Sequence, residues 1–216
     1  MRTRKTIKTV VSGMAICCVA PLGASERLAR CIHKRDVWFE SHGDLLSLLP
    51  VKFGRYLRNA YYWMTLKKCS LDCCFIFGMS FTHSDASVGH RVYIGAHSMV
   101  GLASIEDDTL LGDHVHVLSG KQQHGFHDPD RLIREQPQVF RKIHIGSNCW
   151  IGTNCVVMAD IGENSVIGAG SVVTDSVPDH VVAVGNPART LQSVRRAFRP
   201  EIVFQGATQV QQSPGL

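Results

Sequence analysis

Residues 145–170 read IGSNCWIGTNCVVMADIGENSVIGAG, and an aliphatic residue followed by glycine recurs there at about every sixth position. An amphipathic helix repeats at 3.6 residues and a half-buried strand at two, so neither explains a period of six. A short strand plus a corner does. Repeated, it winds the chain into a prism whose sides each turn one aliphatic residue inward, the pattern of a parallel β-helix. The same register runs through Val88, Ile94, Val100, Ile105, Leu111 and Val117, and again through Ile145, Ile151, Val157, Ile161, Ile167 and Val173. Eight of these twelve precede glycine, which suits a corner because it avoids a Cβ penalty and allows close backbone approach. The residue four further on is mostly small, as at Ser98, Ser104, Thr109, Cys149, Cys155, Ser165 and Ser171, which fits a narrow interior. The step shortens to five between Val100 and Ile105 and to four between Val157 and Ile161. Each slip follows three hexads, where one turn of a three-sided prism ends.

The stretch 165–189, SVIGAGSVVTDSVPDHVVAVGNPAR, resembles the closing coils of the hexapeptide-repeat acyltransferases, most of all the maltose, galactoside and exopolysaccharide O-acetyltransferase branch. The join of VIGAGSVVT to VGNPAR carries the resemblance, which covers roughly residues 70–196. It implies a left-handed coil, a homotrimer and acetyl-CoA as acyl donor. The expected fold is all-β, a left-handed parallel β-helix of hexapeptide repeats with an N-terminal helical extension and a short C-terminal helix. The expected segments are a basic and apolar segment 1–23, a helical extension 24–74, coils 75–184 with an excursion at 119–142, a turn and helix 185–199, and a flexible tail 200–216.

The formal net charge is +5, with the excess at the two ends: Arg2, Arg4, Lys5 and Lys8, then Arg189, Arg195, Arg196 and Arg199. No basic run interleaved with aromatics crosses the repeats, so nucleic acid is not an expected partner. None of the eight cysteines forms a C-x-x-C pair, no metal is expected, and Cys149 and Cys155 read as buried thiols. So many unpaired thiols suit a reducing compartment. After the first basic residues comes VVSGMAICCVAPL, an uncharged run shorter than the roughly 20 residues that span a bilayer. It reads as a signal peptide, an interfacial anchor meeting anionic headgroups, or a buried helix. An acetyl-CoA donor favours the cytoplasm, with peripheral contact at the inner face of the membrane. Residues 50–68 read as an amphipathic helix with Phe53, Leu57, Ala60, Tyr61 and Met64 on one face, Pro50 in its first turn, and Arg55, Arg58, Lys67 and Lys68 outside that stripe.

Acyl transfer to a hydroxyl needs a base for the hydroxyl proton and a donor for the developing oxyanion. Histidine titrates in the right range. His124 and His127 lie in the excursion, where a long loop inside a compact domain is usually functional. By resemblance His124 is the catalytic base, with His127 as runner-up and Asp128 or Glu135 to orient the ring. Resemblance also assigns Gly152, Thr153, Ala169 and Thr174 to the acetyl-CoA groove and Arg189 to its phosphates, with a backbone amide near Gly152 or Thr153 for the oxyanion. Asp175 departs from the family, where lysine is common, and Arg195 and Arg196 are the compensating cations. Trp150 reads as a packing residue. The acceptor is a sugar or polysaccharide-precursor hydroxyl. The alternatives are a zinc anhydrase using His90, His114 and His116, and a non-catalytic β-helix scaffold.

Overall fold

A computed structural model describes residues 2–33 and 36–194. Three sheets of parallel strands, mostly of two residues, form the sides of a prism. Ile94 stands in register with Leu111, 17 residues on, and Ile151 with Ile167, 16 residues on. The slips of five and four are therefore the shortened third side of each coil. Ile94, Leu111, Ile151 and Ile167 line one inner wall, Val100, Val117, Val157 and Val173 the second, and Val88, Ile105, Ile145 and Ile161 the third, all buried. Ser98, Thr109, Cys149, Cys155, Ser165 and Ser171 fill the corners from inside. Ser104 faces outward instead, because the five-residue step brings Ala103 into the interior.

The corners divide the two roles that sequence reading gave to glycine. The left-handed conformation falls three residues after the aliphatic: Arg91, His97, Asp108, His114, Asn148, Asn154, Asn164 and His180 have φ of 52–61°. Asn and Asp tolerate this region by local hydrogen bonding, and Gly78, Gly120 and Gly170 hold the same place in other coils. The glycine directly after the aliphatic serves close approach. A Cβ on Gly146 would lie 2.6 Å from the Glu163 backbone nitrogen of the next coil, and one on Gly152 would lie 2.5 Å from that of Ala169.

The coil ends with strand Val181–Gly185, a turn containing the cis Asn186–Pro187 bond, and an antiparallel strand Ala188–Ser193. The short helix expected to begin at Ala188 is corrected by this hairpin, in which Val184 pairs with Arg189 and Val182 with Gln192. The last coil presents a row of unpaired backbone groups, and the returning strand satisfies them. Residues 195–199, with Arg195 and Arg196, and the tail 200–216 lie outside the described residues.

Three helices precede the coils: α1 (Arg2–His33), α2 (Val37–Ser47) and α3 (Val51–Thr65). α1 runs through residue 23 without a break, so the expected boundary there is absent. Pro50 is the N-cap of α3 rather than part of its first turn. Leu57, Ala60 and Tyr61 are buried as expected, but Phe53 is exposed. Tyr62 is the residue that joins the extension to the prism, its ring centroid 4.8 Å from Phe81 and 5.6 Å from Phe75 in the first coil. Arg58, expected on the outer face, is buried. It donates to the carbonyls of Leu46 (3.0 Å), Leu49 (2.8 Å) and Phe75 (3.1 Å). Two of these oxygens belong to the last turn of α2 and its exit, where the helix dipole favours a cation.

A glycine needed for close approach is separable from one that is not. Gly146→Ala pushes a Cβ against backbone and should cost about 1–3 kcal/mol, the usual range for overpacking. Gly13→Ala, in α1 with nothing within 4 Å of its Cβ, should be neutral or stabilising. Thermal unfolding of the two variants checks this; a Gly146→Ala protein as stable as the parent would show that the coils do not pack at this limit.

Candidate active site

The excursion leaves the wall after Leu118 and returns at Ile143 without disturbing the ladder, since Leu118 still donates to Val157 and Ile143 to Leu102. It folds back on itself. Arg141 N–H donates to Ser119 (2.9 Å), Val139 N–H to Gln122 (3.2 Å) and Gly125 N–H to Pro137 (2.9 Å), so its two arms run side by side. Gln136 is its buried centre, donating through Nε2 to the carbonyls of Asp128 (2.9 Å) and Arg131 (3.0 Å) and accepting the Asp128 N–H at Oε1.

His124 is exposed on the outgoing arm, its Nδ1 3.3 Å from Gln138 Nε2 on the returning arm. Drawn this way, the amide donates and the ring proton sits on Nε2. With the amide turned over, Gln138 Oε1 accepts from Nδ1–H and Nε2 is free to take a proton, the arrangement a general base needs. His127 is also exposed and packs on Phe126, ring centroids 4.8 Å apart. A cavity of about 530 Å³ within the excursion is lined by His127, Asp128, Arg131 and Gln136. Neither Asp128 nor Glu135 bonds to His124: Asp128 accepts the Asp130 N–H and closes its own turn. The ring's partner is an amide, which sequence reading passed over.

The groove residues form two groups at either end of the strand Val172–Val173. In the first, Gly152 lies against Ala169, and Gly170 N–H donates to the Thr153 carbonyl (2.8 Å). At comparable corners an aspartate from the next coil accepts the exposed amide: Asp107 takes that of His90, Asp113 that of Ala96 and Asp179 that of Glu163. At Thr153 the next coil offers Ala169, which has no acceptor. The N–H groups of Thr153 and Ala169 therefore have no partner among the described residues. Gly152 N–H is committed to Ile167 (2.8 Å), so of the Gly152 and Thr153 amides only that of Thr153 is open.

In the second group Thr174 Oγ1 donates to Asp175 (3.1 Å), and Arg189 Nη1 stands 3.7 Å from the same carboxylate. Lys121, from the root of the excursion, donates to Asp175 Oδ1 at 2.7 Å. These contacts, Lys121 foremost, hold the Asp175 carboxyl below the usual carboxylate range. Lys121 thus places a cation beside position 175. Nothing in the sequence signals a pair 54 residues apart. Open amides on one edge and two cations on the next suit a long anionic ligand with an amide-bearing arm, which is the chemistry of acetyl-CoA.

Trp150 is corrected from a packing residue to an exposed one, facing outward beside Leu110. The histidines of the zinc alternative do not converge. His114 stacks on His97, and His90 contacts Ser70 (3.0 Å) and Asp72 (3.3 Å) at another corner. Among the described residues no three His, Cys, Asp or Glu are grouped to hold a metal.

Residues 142–175 match the family model described as "Hexapeptide repeat of succinyl-transferase". The chain is 35% identical over 118 residues to galactoside O-acetyltransferase of Escherichia coli K12, covering 50% of this chain and 57% of that one. It is 36% identical over 115 residues to the Lactococcus lactis enzyme of the same name, covering 49% and 55%. The chain thus spans little more than half the length of these relatives. Among solved structures, a maltose O-acetyltransferase from Clostridium difficile 630 superposes with a TM-score of 0.62 at 22% identity, over 72% of this chain and 84% of the other. A galactoside acetyltransferase in complex with coenzyme A superposes with a TM-score of 0.57 at 23% identity, over 72% and 80%. At that identity the superpositions establish the fold, a left-handed parallel β-helix. In its repeat, in the sequence of its coils and in its fold, the chain is similar to the hexapeptide-repeat acyltransferases.

Proposed function

We propose that the protein transfers an acetyl group from acetyl-CoA directly to a hydroxyl of a sugar or polysaccharide precursor, with His124 as general base. The observation that carries this reading is the placement of His124 three residues beyond Lys121, whose bond to Asp175 ties the excursion to the Thr174–Arg189 corner. In this reading the imidazole takes the acceptor's hydroxyl proton as the new C–O bond forms. The Thr153 N–H holds the developing oxyanion, and the imidazolium returns the proton to the departing thiol sulfur. Gln138 positions the ring. Arg189 and Lys121 bind the phosphates, and Gly152, Thr153, Ala169 and Thr174 line the path of the pantetheine arm. The coenzyme A and acetyl-CoA complexes solved for proteins of this fold support the choice of donor.

His124→Ala should lower kcat by about 10²–10⁴, the usual contribution of a positioned base, and leave acetyl-CoA affinity almost unchanged. His127→Ala should cost less. Turnover against a panel of nucleotide sugars and lipid-linked glycans, with acetyl-CoA binding by calorimetry, separates the outcomes. Near-parental kcat in His124→Ala would move the role elsewhere, and acetyl-CoA binding with no turnover on any acceptor would favour the scaffold.

The trimer is supported by an apolar row on the outer face of one sheet, Tyr93, Leu110, Trp150 and Val166, each beside the next. Leu110 and Trp150 are exposed there, and a second copy of the chain is the proposed cover. Trp150→Glu should convert the assembly to monomers by light scattering; an unchanged mass would place the interface on another face.

Peripheral attachment to an anionic membrane surface is supported by α1. Three of its charged residues turn toward α3: Arg27 donates to the Met64 carbonyl (2.7 Å), and Arg30 to the Thr65 carbonyl (3.0 Å) and to the buried Glu26. The opposite stripe, with Val10, Met14, Leu28 and Ile32, is exposed and uncharged, and the helix begins with Arg2, Arg4, Lys5 and Lys8. That combination fits a helix lying on headgroups at the cytoplasmic face. The full chain should float with vesicles containing anionic lipid more than with neutral ones, and Met14→Glu with Leu28→Glu should abolish flotation. Equal partitioning of parent and variant would reject the surface.

A further inference from the structure

We propose that a cavity at the start of α3 binds a phosphate group through Lys52, Arg55 and Arg58, at a site separate from the acetyl-transfer centre. The cavity, of about 270 Å³, lies between α3 and the corner that follows the first strand of the coil, and those three cations line it together with Ile76 and Phe77. No carboxylate does. None of the three forms an ion pair among the described residues, whereas Arg91, Lys121 and Arg141 each meet an aspartate. Arg55 Nη1 is 3.4 Å from Cys74 Sγ, and its guanidinium lies over the Tyr56 ring, 5.6 Å from the centroid. Neither neighbour is a carboxylate, so the positive charge of the cavity is left unbalanced.

Arg58 separates this cavity from a patch of surface cations. It is 1% exposed, and its Nε and Nη1 are spent on the carbonyls of Phe75, Leu46 and Leu49. Nη2 carries two further donors and makes no hydrogen bond among the described residues, while the side chain lines the cavity. A buried cation with open donors is costly until an acceptor meets it, and an anion in the cavity completes the set. The helix adds to the same field. α3 runs for 15 residues, starts after Pro50 without a side-chain cap, and has no acidic residue in its first turn. The N–H groups of Lys52 and Phe53 have no acceptor among the described residues, and Gly54 donates to Pro50 at 3.4 Å. The positive end of the helix dipole therefore stands unneutralised at Lys52.

Two guanidinium groups and an ammonium with no counter-charge favour a multiply charged anion over a single carboxylate, and guanidinium forks match phosphate oxygens. Ile76 and Phe77 give the cavity one apolar side, and His97 packs edge-on against the Phe77 ring, centroids 5.3 Å apart. That side suits the carbon part of an ester. The ligand class is therefore a phosphate or diphosphate ester, soluble or carried on a lipid headgroup. No residue of the excursion, of the Thr153 corner or of the Thr174–Arg189 corner lines the cavity.

Calorimetry of the full chain with inorganic pyrophosphate and with a hexose 1-phosphate tests the soluble source. Flotation with vesicles holding phosphatidic acid or, at equal surface charge, phosphatidylglycerol tests the headgroup. Lys52→Ala, which loses no hydrogen bond or ion pair among the described residues, and Arg55→Ala should each weaken binding about tenfold, the usual cost of one hydrogen bond to a charged group. Lys52→Arg should retain it, and added NaCl should weaken it. Lys121→Ala with Arg189→Ala removes the cations of the other corner and should leave it unchanged. Binding of the soluble probes that Lys52→Ala weakens assigns a free phosphate ester; a preference for phosphatidic acid that Lys52→Ala abolishes assigns the headgroup. Three outcomes would overturn the proposal: no binding in any arm, equal binding by the parent and Lys52→Ala, or binding lost in the Lys121→Ala, Arg189→Ala chain instead. Circular dichroism confirms that the variants compared are folded.

Discussion

Each coil must lie on the one before it at a single strand spacing, about 4.8 Å, with every wall hydrogen-bonded upward and downward. This constraint sets nearly everything else. It brings backbone so close at the start of several corners that a Cβ does not fit, as at Gly146 under Glu163 and Gly152 under Ala169. It turns the chain back through the left-handed region three residues after most of the inward aliphatics, where Asn148, Asn154 and Asn164 recur. It also leaves the corners as the tolerant places, where chain can leave and return. The excursion from 119 to 142 uses one such corner, and the neighbouring walls keep their register across it.

The helical extension attaches to this prism by two different interactions. One is apolar: Phe39, Tyr61, Tyr62, Phe75 and Phe81 form a continuous aromatic cluster with edge-on and tilted contacts, favoured geometries for such rings. The other is polar. Arg58 is a buried cation whose hydrogen-bonding partners are three carbonyl oxygens, two from the exit of α2 and one from the first coil. A buried charge is tolerable only when its donors are met, so this side chain fixes how α2, α3 and the coil meet. α1 then packs on α3 with Glu26, Arg27 and Arg30 turned toward it, which leaves the stripe of Val10, Met14, Leu28 and Ile32 outside.

The candidate site arises where the ladder's own satisfaction fails. At three other corners a carboxylate from the next coil accepts the exposed amide, whereas at Thr153, where that place holds Ala169, and at Asp107, Asp113 and Ser147 no such bond is made among the described residues. The open amides are on the coil, while the titratable ring and one of the two cations are on the excursion. Lys121 and Asp175 bind the two parts together.

The sequence by itself determined the three-sided prism, the length of each coil, the buried thiols at Cys149 and Cys155 and the position of the excursion. Those features depend on residues six to seventeen apart whose roles repeat, so a period is enough to read them. Even the open amide at Thr153 was legible in principle: Asp107, Asp113 and Asp179 stand two residues after their aliphatic, and Ala169 breaks that pattern. The tertiary structure alone decided the rest. The hairpin after Pro187 replaced an expected helix because an open sheet edge needs partners, which no local preference of residues 188–193 reveals. Arg58 went inside because the last carbonyls of α2 happen to converge there, although its helical position reads as peripheral. His124 met Gln138 rather than a carboxylate, and Lys121 met Asp175, because the path of a non-repeating loop brings distant residues together. Where the chain repeats, geometry follows from spacing; where it leaves the repeat, contacts are set by packing in three dimensions.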